Sequence, residues 1–254
     1  MTVRWDDLPD SGLLAGILMR LGLRRTVRVW GFRFQARHPY LPPQARWSLR
    51  KGRWERPEAG LALAHVMRDR PVVELGGGLG VVACMINSVL EDPSDHVVVE
   101  MDGKAIDIIH RNARLNGADF DVLHGMVSYR GEGTGVLGRQ RTYRAGQRLG
   151  PAGEATDVTP VRLEDLANRF DDGPLNLVMD IEGEETGLVR AEIDRLASRF
   201  PVIVMELHPQ LDAAGTFAMM DVLREAGYEL ADEAAGTVVM KRPAGAGRRR
   251  RGRR

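Results

Sequence analysis

Two patterns of apolar residues alternate along the chain from residue 58 onward. Short, continuous apolar runs predict seven buried strands, at residues 72–75, 97–101, 121–124, 175–181, 202–207, 228–230 and 237–240. Between them, apolar residues recur every three or four positions, which predicts helices at 81–90, 104–115, 163–170, 184–198 and 213–226. Alternating strands and helices are typical of a doubly wound, mostly parallel α/β sheet. The last two strands, joined by a short turn, should add an antiparallel edge.

The first 57 residues predict an irregular N-terminal section. A short amphipathic helix is expected at 13–23, and one strand at 26–35 places Trp30, Phe32 and Phe34 on one face. Such a face is more often core than a surface for stacking bases. The predicted organisation is therefore an N-terminal section at 1–57, a main domain at 58–242 and a disordered basic tail at 243–254.

Composition narrows the class of protein. A chain of 254 residues is long enough to bury a core without disulfides, and its single cysteine, Cys84, excludes a disulfide framework. No apolar stretch approaches the ~20 residues of a membrane span. Asp6, Asp7 and Asp10 stand where a signal peptide carries positive charge. These features predict a soluble, cytoplasmic protein.

Charge is unevenly distributed behind a formal net charge of +1. Eleven basic residues and one acidic residue lie between Arg20 and Arg56, and six arginines lie between Arg248 and Arg254. Segregated positive charge indicates an anionic partner. Only three of the 36 basic residues are lysines, so a coding bias toward arginine explains part of the pattern. We expect the tail to be inert.

Glycines crowd the turn after the first strand of the main domain. The segment reads Glu74-Leu-Gly-Gly-Gly-Leu-Gly80. In an open α/β sheet ligands bind at this turn, where glycine lets a ligand approach the backbone and permits positive φ. Residues 78–83 also satisfy the dinucleotide pattern G-x-G-x-x-A, so the loop alone fits both S-adenosylmethionine (SAM) and NAD.

Two acids are predicted to bind the cofactor, and the first of them favours SAM over NAD. Glu74 precedes the glycines, where a carboxylate can meet the cationic amino acid end of SAM, whereas the pyrophosphate of NAD needs a bare helix N-terminus. Glu100 ends the second strand, where a carboxylate can accept both ribose hydroxyls, a role that SAM and NAD sites share. The segment 124–126 is expected to border the adenine. The predicted cofactor-binding residues are Glu74, Leu75, Gly76, Gly77, Gly78, Glu100, Met101, Gly125 and Met126.

Several motifs together carry a family resemblance. They are Glu74-Leu-Gly-Gly-Gly-Leu-Gly80, Val98-Val-Glu100, Arg162-Leu-Glu-Asp-Leu166, Asp180-Ile-Glu-Gly-Glu-Glu185 and Met205-Glu-Leu-His208. Over about residues 54–240 the chain resembles the FkbM-type SAM-dependent methyltransferases. The resemblance implies a class I methyltransferase-like, Rossmann-type fold. It also implies methylation of hydroxyl oxygens on sugars, polyketides and similar small molecules. Glu74 and Gly78 stand where the family commonly has Asp and Asn.

The candidate catalytic residues are Asp180, Glu182, Glu206 and His208. Each pair is spaced by two at the end of a predicted strand, so both pairs should share one face and lie side by side. Because an alcohol is a poor nucleophile at neutral pH, a base should take its proton. We expect Asp180 to contact cofactor or acceptor, His208 or Glu182 to act as base and Glu206 to orient it.

Alternatives to this assignment stay open. The four residues could gather a divalent ion, but metal-free catalysis is favoured. Glu184 and Glu185 are expected simply to open a helix, and His96 stands in no comparable constellation. The predicted acceptor is a small molecule or saccharide, anionic if the basic section binds it. Other hypotheses are an RNA ribose methyltransferase, a catalytically silent SAM-fold interaction module and an NAD-dependent oxidoreductase.

Overall fold

The protein is described by a computed structural model that covers residues 25–38, 41, 43–129, 141–144, 147–151 and 158–243. The helix predicted at 13–23 and the tail beyond residue 243 lie outside the described residues. Within them, no helix combines the length and the hydropathy needed to cross a membrane.

Strands and helices follow one another as the hydrophobic pattern predicts. The strands are β1 (Thr26–Val29), β2 (Phe32–Gln35), β3 (Val72–Leu75), β4 (His96–Glu100), β5 (Asp121–Val127), β6 (Arg141–Arg144), β7 (Gln147–Pro151), β8 (Thr159–Val161), β9 (Asn176–Met179), β10 (Val202–Glu206), β11 (Glu229–Ala234) and β12 (Thr237–Lys241). The helices are α1 (Pro43–Arg50), α2 (Arg56–His65), α3 (Val81–Asn87), α4 (Gly103–Asn116), α5 (Leu163–Ala167), α6 (Glu185–Arg199) and α7 (Ala213–Glu225).

The central sheet has the order β11-β12-β10-β9-β3-β4-β5-β8. Pairing is parallel from β10 through β9, β3, β4 and β5 to β8. The predicted doubly wound, mostly parallel sheet is confirmed. The strand order reverses between β3 and β9. Open α/β sheets bind their ligands at the carboxyl ends of the strands at such a switch point.

Two details of the sheet differ from the prediction. There are eight strands rather than seven, because β8 pairs with β5 at one edge. The pattern missed β8 because it has only three residues, and Pro160 within it is tolerated only at an edge. The antiparallel strand is β12, which lies between β10 and β11 and is therefore second from the edge.

The aromatic segment near residue 30 forms a hairpin instead of one strand. β1 and β2 pair antiparallel around Trp30 and Gly31, whose φ angles are 50° and 91°. Positive φ at both central residues matches the right-handed twist of a hairpin. Phe32 and Phe34 share a face, as predicted, with ring centroids 6.2 Å apart, whereas Trp30 is 39% exposed at the turn and does not join them.

Two apolar clusters cover the two faces of the sheet. Side chains of α2, α3 and α4 fill one cluster, and those of α5, α6 and α7 fill the other. The β1–β2 hairpin joins the first cluster and docks on α4, where the side-chain carbonyls of Asn112 and Asn116 accept from the amides of Gln35 and Arg33 at 2.7 and 2.8 Å. The described part of the N-terminal section thus shares its core with the main domain.

Candidate functional site

The glycine loop is pressed against neighbouring strand ends. A Cβ on Gly76 would lie 1.9 Å from the carbonyl oxygen of Asp180, and one on Gly77 would lie 2.7 Å from Val98 Cγ1. Packing therefore requires both glycines, whatever the loop binds. Gly78 is different, because a Cβ there would meet only the Glu55 carboxylate, at 3.2 Å. Gly78 is the glycine that faces the site.

Glu100 holds this loop from the end of β4. Its two carboxylate oxygens accept hydrogen bonds from the amides of Gly78, at 2.8 Å, and Asp102, at 2.7 Å. Burial raises the pKa of Glu100, and these backbone hydrogen bonds oppose the rise. A carboxylate offers about four lone pairs, so two acceptor positions stay available for ligand hydroxyls. The Gly78 amide, however, is already engaged.

The Glu74 side chain is buried and pairs with a histidine. The side chain is 2% exposed, and Glu74 Oε2 lies 3.1 Å from Nε2 of His96, which is fully buried. Burial raises the pKa of Glu74, and the hydrogen bond and charge of His96 lower it. His96, which was expected to stand in no functional constellation, pairs with Glu74. One of the two carboxylate oxygens of Glu74 is therefore engaged with His96, and contact of Glu74 with a cofactor stays a prediction.

Two further acids approach the loop from the N-terminal side. Glu55, at the start of α2, has a φ of 50° and accepts a 2.5 Å hydrogen bond from Trp54 Nε1. Glu58, in the first turn of α2, is 5% exposed. Burial and the nearby charge of Asp180 raise the pKa of both carboxyls well above the ordinary value. The sequence did not single out Glu58, since acids are common in first helical turns.

The four predicted catalytic residues come together. Asp180 and Glu182 follow β9, and Glu206 and His208 lie at the neighbouring end of β10. His208 Nε2 lies 3.3 Å from Glu182 Oε2 and 3.6 Å from Asp180 Oδ1. Glu182 has a φ of 56°, an uncommon conformation for a side-chain-bearing residue that clusters at functional sites. Their catalytic roles stay predictions.

Glu185, rather than Glu206, contacts the second nitrogen of His208. Glu185 Oε1 lies 3.4 Å from His208 Nδ1. The same carboxylate accepts from the amides of Ile181, at 2.8 Å, and Gly183, at 2.9 Å. The expectation that Glu185 opens a helix is confirmed. Its contact with His208 was missed because only the folded chain brings the α6 start against the end of β10.

The surrounding carboxylates keep His208 protonated. Burial alone would lower its pKa, but the carboxylates of Glu182 and Glu185 beside its two nitrogens and the charge of Asp180 raise the pKa to about 11. At neutral pH the side chain is an imidazolium and has no free nitrogen to accept a proton. It can serve as a base only after other positive charge has entered the cluster.

Asp180 is the centre of the acidic cluster. Burial raises its pKa well above the ordinary value, and the charges of Glu206 and Glu182 raise it further. Burial likewise raises the pKa of Glu206. Within the described ranges, the buried Oδ1 of Asp180 has no hydrogen-bond partner. An excess of buried negative charge of this kind favours either bound protons or a cationic ligand.

The predicted adenine border is less specific. Met101 and Met126 are half-buried beside the end of β4 and β5. A Cβ on Gly125 would lie 2.4 Å from Val161 Cγ2, so pairing of β5 with β8 explains this glycine. Leu75 is fully buried in the core, which leaves only its backbone available to a ligand.

Comparison with known proteins gives weak likenesses only. No family model and no curated protein matches the chain. Among solved structures, a ribosomal protein L11 methylase from Lactobacillus delbrueckii subsp. bulgaricus is 14% identical with a TM-score of 0.42, covering 76% of this chain and 80% of that one. A putative O-methyltransferase from Klebsiella pneumoniae is 11% identical with a TM-score of 0.46, covering 73% and 80%. M. jannaschii TYW2 in complex with AdoMet is 10% identical with a TM-score of 0.42, covering 86% of both chains.

The fold is class I methyltransferase-like. The order and direction of the strands carry this assignment, with the single antiparallel strand β12 between β10 and β11. Identities of 10–14% and TM-scores below 0.5 are too low to transfer an activity or a substrate. Function must therefore be inferred from the chemistry at the carboxyl ends of the strands.

Proposed function

We propose that the protein transfers a methyl group from SAM to a hydroxyl oxygen of a small molecule or saccharide. The observation that supports this proposal is the buried carboxylate cluster beside the glycine loop. Glu55 lies against Gly78, and the pKa of Glu55 is raised by burial and by the charge of Asp180. SAM carries a sulfonium and an ammonium group, so it brings to this cluster the positive charge that the cluster lacks.

The same geometry disfavours NAD. A dinucleotide places its pyrophosphate on free backbone amides of the glycine loop. Here the Gly78 amide donates to Glu100, and the Glu55 carboxylate occupies the space in front of Gly78. A phosphate group at that position would meet two carboxylates. Repulsion by the Glu100 carboxylate, which is 7% exposed, opposes a phosphate at this position.

The residues present fit SAM at two points. Glu100 keeps lone pairs for the two ribose hydroxyls. Glu55 lies in front of Gly78, where its carboxylate would face the cationic amino acid end. When bound, SAM supplies an activated methyl group on a positively charged sulfur.

The side chains at the ends of β9 and β10 would prepare the acceptor. Asp180 would hold the acceptor hydroxyl about 3 Å from the reacting methyl and in line with its bond. Since His208 is already protonated, the better base is Glu182, whose Oε2 lies 3.3 Å from His208 Nε2. The His208 imidazolium would then hold the Glu182 carboxylate in place while Glu182 takes the proton of the acceptor hydroxyl.

A labelled methyl-transfer assay tests this proposal. Purified protein and methyl-labelled SAM would be incubated with panels of sugars, phosphorylated sugars and aromatic alcohols. We expect transfer to one class, and a loss of about 10²–10⁴-fold in kcat for Glu182→Gln. Glu91→Gln, which changes an exposed acid far from the cluster, is the matched control. SAM binding without transfer to any acceptor class would instead support a silent interaction module.

Ribose methylation of RNA is the second candidate. The Arg53 guanidinium lies 5.4 Å from the ring centroid of Trp47, which is 54% exposed. Trp30, 39% exposed, lies next to Gly52 on the same surface. Exposed aromatics with arginine are able to stack unpaired bases. RNA-dependent methyl transfer whose binding weakens steeply with salt would favour this candidate over a small acceptor.

A further inference from the structure

Three carboxylates from separate elements of the fold lie close together, and Asp180 is one of them. They are Glu58 from the first turn of α2, Asp180 after β9 and Glu206 at the end of β10. One oxygen of each lies within 4.8 Å of the others. Two oxygens bound to a six-coordinate divalent ion at about 2.1 Å lie about 3 to 4 Å apart, so only small side-chain movements separate this arrangement from a ligand set.

Two of the three acids, Glu58 and Asp180, have carboxylate oxygens without a hydrogen-bond partner among the described residues, although His208 Nε2 lies 3.6 Å from Asp180 Oδ1. Glu58 is 5% exposed, and its carboxylate makes no hydrogen bond with any described residue. The Oδ1 of Asp180 is also buried without a hydrogen-bond partner in the described part of the chain. The neighbouring charges that most affect Glu58 are themselves carboxylates. An unpartnered buried carboxylate directed at two others points to a cation between them.

We propose that Glu58, Asp180 and Glu206 bind one divalent metal ion of the hard, oxygen-preferring class, Mg²⁺ or Mn²⁺. Carboxylate oxygens are the preferred ligands of these ions, which commonly keep waters in the remaining positions. Asp180 also belongs to a second, overlapping group with Glu182 and His208. That group borders the site and would orient Asp180.

Glu58 changes the conclusion drawn from the sequence. The metal-free expectation considered only the residues at the ends of β9 and β10, namely Asp180, Glu182, Glu206 and His208. Glu58 adds a further carboxylate to Asp180 and Glu206, from an element outside these two strand ends. The role of the ion rests on the proposed methyl transfer: it would lie beside the acceptor and lower the pKa of the acceptor hydroxyl.

Manganese binding to the full chain tests the site directly. Mn²⁺ would be titrated by electron paramagnetic resonance and calorimetry without SAM, so the result does not depend on the methyl donor. We expect one ion per chain, with affinity lowered at least about tenfold in Glu58→Gln and in Glu206→Gln. Glu91→Gln should bind as the wild type does. Absence of stoichiometric Mn²⁺ binding, or loss in Glu182→Gln with none in Glu58→Gln, would overturn the proposal.

Stability distinguishes loss of the site from loss of the fold. Removing a buried, unpaired charge relieves repulsion, so metal-free Glu58→Gln should melt at a higher temperature than metal-free wild type. The same variant should lose the rise in melting temperature that Mn²⁺ gives the wild type. Equal rises in both proteins would contradict the site. SAM binding in EDTA is measured separately: its loss would overturn the proposed function while leaving the metal result standing.

Discussion

We expect the metal-free protein to become less stable as the pH rises, because the folded state keeps a proton on His208 that the unfolded chain releases. Asp180 and Glu182 face Nε2 of His208, and Glu185 faces its Nδ1. These contacts raise its pKa from the ordinary 6.5 to about 11 against the opposing effect of burial. Because the folded-state pKa is the higher one, the stabilisation is complete below pH 6.5 and declines as the pH rises toward 11.

The size of the effect follows from proton counting. Between pH 7 and 8.5 the folded protein holds a proton on His208 that the unfolded chain has mostly lost. One extra bound proton lowers the free energy of unfolding by about 1.4 kcal/mol per pH unit, or about 2 kcal/mol over this window. The raised pKa values of Glu58 and Asp180 act in the same direction. The window stops at pH 8.5 because burial raises the Cys84 pKa from 9.0 to about 12, which adds a further slope at higher pH.

Urea denaturation in EDTA at four pH values would measure this slope. Histidine ring NMR over pH 6–9 would follow the proton itself, with the His208 resonance assigned by its absence in His208→Gln. His110→Gln, at an exposed site on α4, controls for the loss of a histidine. We expect the His208 resonance to stay in its protonated position. A resonance that titrates near pH 6.5, or a flat stability profile, would refute the reasoning.

Two more predictions concern the packing that holds the site. Gly76→Ala and Gly31→Ala impose the same backbone strain, since their φ angles are 92° and 91°, but only the first Cβ would clash, 1.9 Å from the Asp180 carbonyl oxygen. Gly31→Ala should therefore cost about 1–2 kcal/mol of unfolding free energy and Gly76→Ala at least about 1–3 kcal/mol more, and equal costs in urea denaturation would contradict the close approach. Glu74→Ala should cost about 3–5 kcal/mol because it leaves His96 buried without its partner, whereas the double variant Glu74→Leu/His96→Leu should recover most of that loss. A double variant no more stable than Glu74→Ala would show that the pair itself is not the cause.

The elements around the site could largely be predicted from local pattern. The buried strands β3, β4, β9 and β10 are continuous apolar runs, and such runs need no tertiary information. Helix ends were also readable: Asp102 accepts from the Lys104 amide as the N-cap of α4, and Gly117 ends that helix with a φ of 64°. Because parallel strands end at one edge, the proximity of Asp180 and His208 followed from the strand assignment alone.

The parts of the site that could not be predicted from the sequence depend on contacts between segments that are distant along the chain. Glu58 reaches the cluster only because α2 packs over β10, and Glu185 reaches His208 only because α6 starts beside its strand end. The turn at Trp30 and Gly31 was hidden by an alternation that a hairpin and a strand share. Glu74 satisfied the motif expected of a SAM site, yet its side chain pairs with His96 instead.

Calorimetric titration of the wild-type protein with SAM and, separately, with NAD tests the central claim most directly. The carboxylates of Glu55 and Glu100 at Gly78 predict saturable, micromolar binding of SAM, and the same carboxylates predict no binding of NAD. Glu100→Ala should abolish the SAM signal. Binding of NAD in preference to SAM, or no binding of SAM at all, would contradict the assignment of this site to a cationic methyl donor.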